Sequence, residues 1–519
     1  MLEALRTPSA DGEVLLLPDS DRLRPYLAEA AAATGEMSFD VAGVPAAELR
    51  RRGRDEIARA VGAELPAPWI ATGHQSEMHH AGVWFKVAAI GAWARAAGGT
   101  ALHVVTDLDA AAHVTLDLPR VREDNRITLE RVPLAHPVGA QCPAQLPAPP
   151  REAIRRLARR AQPSGDGGPL DTWLTAVGEH DGAGTLAEWI ADGGAAVNRS
   201  LGLDIRDAFA SRLMRGRAYA RFAVHIFLNA RRMFEVHRAV LASHRRRHGI
   251  TNPTQPVPDL RAADGALEMP LWAFRGDSGR EPLFVKTSDD GVELRTPAGR
   301  LMRLPGDPDK AVDALVAFSD GQGWIAPRAL TLTMFLRSFI CDIFVHGTGG
   351  ARYDSLGNAL IDAWYGWRPP PFGVATATLR LDLPRYDVTP DDLAAARWRA
   401  HHLYHNPWLG RGRTDPPPVA ERLHAAKTAA VRRAAALKPF APGRAEAYEE
   451  IHRVNEQLRA LLPDAQREAA RRVARIEAQR EHNRLADDRG YFFALMPRQK
   501  LAGLVEQARR WATAGTGER

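Results

Sequence analysis

Apolar and polar positions follow two different periods along the chain, and the changes of period mark its elements. Residues 21–33 and 46–61 carry apolar side chains at helical spacing. Pro66 and Pro68 stop the second helix. The short apolar run 68–72, closed by Gly73, then reads as a strand buried on both faces. A polar loop over 73–80 leads into an apolar, Ala-rich helix over 81–95. A second buried strand, 102–106, ends at Asp107 and Asp109. Strand, loop, helix and strand make a βαβ unit, the building block of a parallel sheet.

Residues 126–133 read as a further strand and 134–150 as a Pro-, Gln- and Ala-rich loop. From 151 to 247 the pattern is helical, broken at 163–169 and at Gly193 and Gly194, with one long amphipathic helix over 221–247. Strands at 268–274, 283–287 and 292–296 follow, separated by turn residues. The α/β pattern returns with a helix at 309–318, a strand at 324–326 and a helix at 331–339. A buried strand at 342–345, a Gly-rich loop at 346–350 and a helix at 353–364 complete it. Helices at 420–436, 444–462 and 463–486 read as a helical hairpin, and the apolar 491–496 returns to the core.

The fold class expected is therefore α/β, with a Rossmann-like parallel sheet drawn from 66–133 and 309–384. The domains expected are 1–133 and 309–415 as two parts of the core and 134–308 as an insertion, helical and then β-rich. A helical hairpin or coiled coil follows at 416–490, and 491–519 returns to the core.

Composition narrows the function classes. The 519 residues carry 45% hydrophobic and 25% charged side chains, ordinary for a globular chain. The apolar stretches 81–97 and 218–230 are interrupted by Lys86, Arg95, Arg221 and His225 and fall short of the ~20 apolar residues a membrane span needs. The first residues lack a basic region ahead of an apolar core, so no secretory signal is expected. Cys142 and Cys341 make no disulfide framework, and the cytoplasm is the compartment expected. The net charge of +7 is a small excess, and the basic runs 50–54, 155–160 and 245–248 read as solvated helix faces. Neither a nucleic-acid nor a membrane partner is expected; a small-molecule substrate is.

Three places carry candidate chemistry. The stretch 72–86, TGHQSEMHHAGVWFK, lies between a buried strand and a helix, where open α/β sheets bind ligands and a helix start offers free N–H groups. In it Gly73 permits close approach, His74 can move a proton near neutral pH, and Gln75 and Lys86 can bind substrate. The bland alternative is a polar loop whose histidines satisfy backbone groups. Asp107 and Asp109 end the next strand and can hold an amine or act as a base, or Asp107 can cap the following helix. The third place, 346–354, reads HGTGGARYD. His346, Gly347, Gly349 and Gly350 can form an anion nest, Arg352 can clamp a carboxylate and Tyr353 can donate a hydrogen bond. A metal held by His74, His79, His80 and His113 has no Cys pair or H-E-x-x-H helix to support it, and none is assigned. His401 and His405 read as a polar helix face, and Cys341 reads as a small buried hydrophobe.

These motifs, in this order, resemble those of the bacillithiol synthase family. Thr72-Gly-His-Gln running through Gly82 to Lys86 resembles its S/T-G-Q-Q loop and following helix. Val104-Val-Thr-Asp107 with Asp109 resembles its acidic E-D-H-D cluster. FVHGTGGARY over 344–353 resembles its Y-V-G-G-P-G-E-x-x-Y turn, with Arg328 upstream resembling its R-P segment. The resemblance implies a core related to class I nucleotidyltransferases, a coiled coil over 420–486 that forms a homodimer, and ligation of cysteine to the amine of glucosaminyl-malate. In that role His74, Asp107 and Asp109 would be catalytic. No cofactor is fixed; ATP or ADP is the candidate such a core brings with it. His74, Leu108, His346 and Gly350 depart from the family pattern, which marks a diverged branch with a different acceptor amine. The alternatives are a nucleotidyltransferase-like enzyme on an unrelated small molecule, and a non-catalytic coiled-coil dimer with a vestigial cleft.

Overall fold

The computed structural model describes residues 5–111, 114–136, 139–161, 167–180, 182–321, 323–407 and 417–514. It forms two compact units. The first takes residues 1–118, 130–381 and 489–519, and the second takes 119–129 and 382–488.

The first unit is built on a six-stranded sheet. Its strands are β1 (Val14–Leu17), β2 (Trp69–Gln75), β3 (Thr100–Thr106) and β4 (Arg206–Phe209), with two more from later in the chain. Helix α1 (Ala46–Val61) precedes β2, and α2 (Ala81–Ala96) joins β2 to β3. Helix α2 is apolar on every side, which suits a helix buried between other elements. Helix α3 (Leu186–Ser200) precedes β4; α4 (Arg217–Leu228) and α5 (Ala230–His248) follow it.

A second sheet is an antiparallel meander of β5 (Ala266–Arg275), β6 (Arg280–Ser288), β7 (Gly291–Thr296) and β8 (Gly299–Pro305), with β9 (Gly323–Pro327) pairing back on β5. Helix α6 (Ala329–Phe339) then leads into β10 (Ile343–His346), α7 (Thr348–Tyr365) and β11 (Phe372–Ala377). The central sheet runs β1-β11-β10-β2-β3-β4. All its pairs are parallel except β1, which lies antiparallel on β11. Parallel strands sheltered on both faces explain the unbroken apolar runs of β2, β3 and β10. One apolar cluster joins Ala71 and Val104 of this sheet to Phe222 of α4, Leu271 and Phe274 of β5 and Phe335 of α6.

Several features differ from the pattern-based expectation, each for a physical reason. Strand β4 lies within the stretch expected to be almost wholly helical, because four residues are too few to display a period. Strand β1 lies in what reads as a lead-in, and it gains its order from pairing along β11. The expected helix over 221–247 is two helices, interrupted at Asn229, whose side-chain amide donates to the His225 carbonyl and competes with the helical backbone. Gly193 does not break α3. A side chain there would lie 2.3 Å from the Trp173 indole, so the glycine serves close packing inside a continuous helix. The strand at 324–326 belongs to the meander and not to the parallel sheet, with Trp324 stacked on Phe274 at 4.0 Å between ring centres.

From Arg489 the chain is again part of the first unit. Tyr491, Phe492 and Phe493 are buried, and helix α8 (Arg498–Ala514) lies along α2 with Trp511 against Trp93. The second unit contains helices Pro390–His405, Pro418–Ala436, Arg444–Ala460 and Pro463–Ala486. They pack as two pairs. Leu393 and Ala396 meet Ile476, while Ala420 meets Val454 and Leu458. Among the described residues no helix is long and apolar enough to cross a membrane.

Candidate functional site

Strands β2 and β10 are parallel neighbours that the chain leaves in opposite directions. From β2 it crosses through α2 to β3, and from β10 through α7 to β11 on the other side. Such a reversal opens a crevice beyond the carboxyl ends of the strands, the usual ligand position in open α/β sheets. The Thr72 hydroxyl donates to the Val345 carbonyl at 2.7 Å and ties the two strand ends together.

Two helices begin beside this crevice. Helix α2 is capped by His80, whose Nδ1 accepts the Gly82 N–H at 3.0 Å. Helix α7 starts one residue after the Gly347 cap, so Gly349 and Gly350 form its first turn and not the loop expected over 346–350. Gly350 is required by proximity: a side chain there would lie 2.9 Å from the His346 ring nitrogen.

Lys86 joins the two turns. It sits in the second turn of α2, buried, and its Nζ donates to the Gly73 carbonyl at 2.7 Å. A side chain at Gly347 would meet the Lys86 stem at 3.9 Å. Burial pulls its ammonium down to about 8, so at neutral pH it is still a cation in a largely dry setting.

On the α2 face of the sheet stand His74, His103 and Asp207, from β2, β3 and β4. His103 Nδ1 and Asp207 Oδ1 are 2.7 Å apart, a pairing that orients the ring and leaves its other nitrogen outside that contact. Burial, helped by the Lys86 cation, holds His74 well below the ordinary histidine range, so it is a neutral imidazole at pH 7. Its ring meets His79 edge-on at 5.4 Å, and His79 stacks on Phe493 at 5.3 Å. These groups border a cavity of about 40 Å³, room for a single water. Gln75 donates to Asp109 at 2.6 Å, and Asp109 is also paired with the Arg280 guanidinium.

The remaining expected residues have other settings. His346 is locked: its Nε2 lies 2.9 Å from Asp354, which is paired in turn with the buried Arg337. Burial would raise the Asp354 carboxyl, but Arg337 and His346 outweigh it and hold it below the usual range. Asp107 accepts from Ser211 with both carboxylate oxygens, from its N–H at 2.8 Å and from its hydroxyl; among the described residues no helix begins after it before Arg151, so the expected cap on the following helix does not form. Burial raises its carboxyl to about 6. Arg352 donates to the Leu5 carbonyl at 2.7 Å, and Tyr353 stands 44% exposed. Burial pushes the Cys341 thiol up to about 12, far from a nucleophilic thiolate. His401 and His405 lie ring to ring on one helix of the second unit.

His113 lies outside the described residues. Among the described residues no group of three or more His, Cys, Asp or Glu side chains is placed to hold a metal ion.

Sequence reasoning missed His103, Asp207, Arg337, Asp354 and Arg280. His103 was the one with a signal, a polar residue inside an otherwise apolar strand. The others act through partners between 8 and 171 positions away, which no local pattern displays. No protein-family model matches the chain, and no curated protein matches it.

Proposed function

We propose that this chain forms an amide bond between an amino acid, cysteine, and a small amine at the carboxyl edge of the central sheet, as a diverged enzyme of the bacillithiol synthase type. The observation that carries the reading is Lys86: a buried cation at the reversal point of a parallel sheet, beside the start of α7. A cation and a helix start together favour a carboxylate, or the phosphate that activates it.

Amide formation requires a leaving group on the carboxyl carbon, and ATP is the nucleotide that supplies it in this reading. The amine nitrogen attacks that carbon and the C–N bond forms. The bond to the leaving oxygen breaks and takes its electron pair, stabilised by Lys86. The incoming ammonium nitrogen gives one proton to an imidazole before it attacks, and a second to the other imidazole as the adduct collapses to the amide. His74, neutral at pH 7, and His103, oriented by Asp207, are the imidazoles at this edge. Asp109 holds the incoming ammonium group, sharing its charge between Gln75 and Arg280. A cytoplasmic homodimer joined through 420–486 belongs to the same reading.

The test is a mass-spectrometric product scan of the purified full chain with cysteine and glucosaminyl-malate, with and without ATP and magnesium. A product with the summed mass less one water, formed only with ATP, supports the reading. Absence of any such product from a folded sample overturns this pairing of substrates.

A further inference from the structure

A second cavity, of about 210 Å³, lies where the meander meets the start of α6. Its wall includes Ala329, Leu330 and Thr331, the first three residues of that helix. No side chain caps it. Its backbone begins to close on itself only at Leu332, whose N–H reaches the Arg328 carbonyl at 2.8 Å. The N–H groups of a first turn point along the helix axis and carry its positive end.

Two side-chain nitrogens add to this. His237 is buried, lines the cavity, and has no hydrogen-bond partner at Nδ1; Arg328 lines it too, and its Nε is likewise closed off and without a partner. Buried polar atoms are nearly always satisfied, so two orphaned nitrogens in one cavity call for an acceptor. Burial, together with the Arg328 charge, holds the His237 imidazole down at about 4, so it is neutral, and the tautomer protonated at Nδ1 turns its N–H to an acceptor in the cavity.

The charge count selects among acceptors. Arg261 and Arg328 share Glu268, and Arg280 takes Asp109. Arg245 and Asp259, also facing His237, cancel each other. Arg261 is exposed and outside the wall, so Arg328 and Arg280 at the cavity are matched by Glu268 and Asp109. With no surplus cation to offset a second negative charge, the N–H groups suit a single carboxylate better than a phosphate dianion or a dicarboxylate. The wall also holds the paired Asp109 and Arg280; Val257, Pro258, Leu260, Pro270 and Trp272 give it an apolar side, and the volume is that of roughly seven waters.

We infer that this cavity is a binding site for a small monocarboxylate with a short apolar body, its carboxylate held by the α6 start, Arg328 and His237. Its wall shares Asp109 with the reaction proposed above, but the inference does not rest on that reaction, because its readout is binding without turnover.

The experiment titrates the purified full chain with isovalerate, succinate or inorganic phosphate. It uses calorimetry and thermal unfolding at ionic strength matched with sodium chloride. Isovalerate is expected to bind saturably and at least tenfold more tightly than the other two. Both Arg328→Lys and His237→Phe are expected to weaken it at least tenfold. Arg328→Lys also disturbs the Glu268 pair, so His237→Phe, which touches no ion pair, keeps the test decisive if the first variant fails to fold. No saturable isovalerate binding overturns the site. Phosphate or succinate binding as tightly as isovalerate overturns the monocarboxylate assignment. Unchanged affinity in a folded His237→Phe variant places the ligand elsewhere and overturns the proposal.

Discussion

The two turns that flank the reversal point share a sequence grammar: a buried strand, a histidine, a glycine and a helix. They use it in opposite ways. At the end of β10 the histidine is committed. His346 bonds Asp354, Asp354 pairs with Arg337, and Arg337 reaches on to the Pro370 carbonyl at 2.6 Å. At the end of β2 the polar groups are buried without a counter-charge, so Lys86 and His74 are pushed toward their neutral forms. Burial with a paired charge gives rigidity, while burial without one gives a shifted proton affinity, the property a reacting group needs.

The largest effect should come from breaking the committed turn. Asp354→Ala strands the Arg337 cation inside the protein, and unfolding by denaturant should show a loss of about 3–5 kcal/mol, as for other half-broken buried pairs. A loss under 1 kcal/mol would erase the contrast between the turns.

Lys86→Met sharpens the contrast from the other side. Amide formation should fall on the order of a hundredfold, about 3 kcal/mol of transition-state stabilisation. Stability at pH 7 should stay level or rise, since a buried charge is removed. The pH dependence is specific. The native ammonium titrates at about 8 while the unfolded one keeps its proton to 10.5. In that window the unfolded chain binds more protons, so stability of the native sequence climbs with pH. The Met variant should lack this climb when denaturation midpoints are compared at pH 7, 8 and 9.5.

The smallest effect should be at Arg352, whose exposed side chain, among the described residues, bonds the Leu5 carbonyl. Arg352→Ala should cost about 1 kcal/mol or less in unfolding and leave product formation intact. A large loss of activity would return Arg352 to the substrate.

How far these turns were legible in the sequence follows from the range of the interactions. Strands β2, β3 and β10 declare themselves by apolar runs between glycines and acids, and α2 by its apolar composition; all four are local signals. The reversal point follows from strand order, which no single segment contains. Lys86 was legible as a candidate but its burial was not, because that depends on Gly73 and Gly347 coming together from distant parts of the chain. Asp107 and Asp109, two residues apart in sequence, end up on Ser211 and on Arg280; only the tertiary partners separate a structural carboxylate from one at the cleft.

The return of α8 to α2 also sets a timetable. Helix α2 is apolar all round, and the helix that covers it, with the aromatic residues beside His79, emerges from the ribosome some four hundred residues later. At about 5–20 residues per second, the nascent chain carries that uncovered surface for on the order of tens of seconds. Protection of α2 during synthesis, by a chaperone or by transient burial, is therefore a requirement written into the order of the elements, and the cleft can be completed only after the last helix is made.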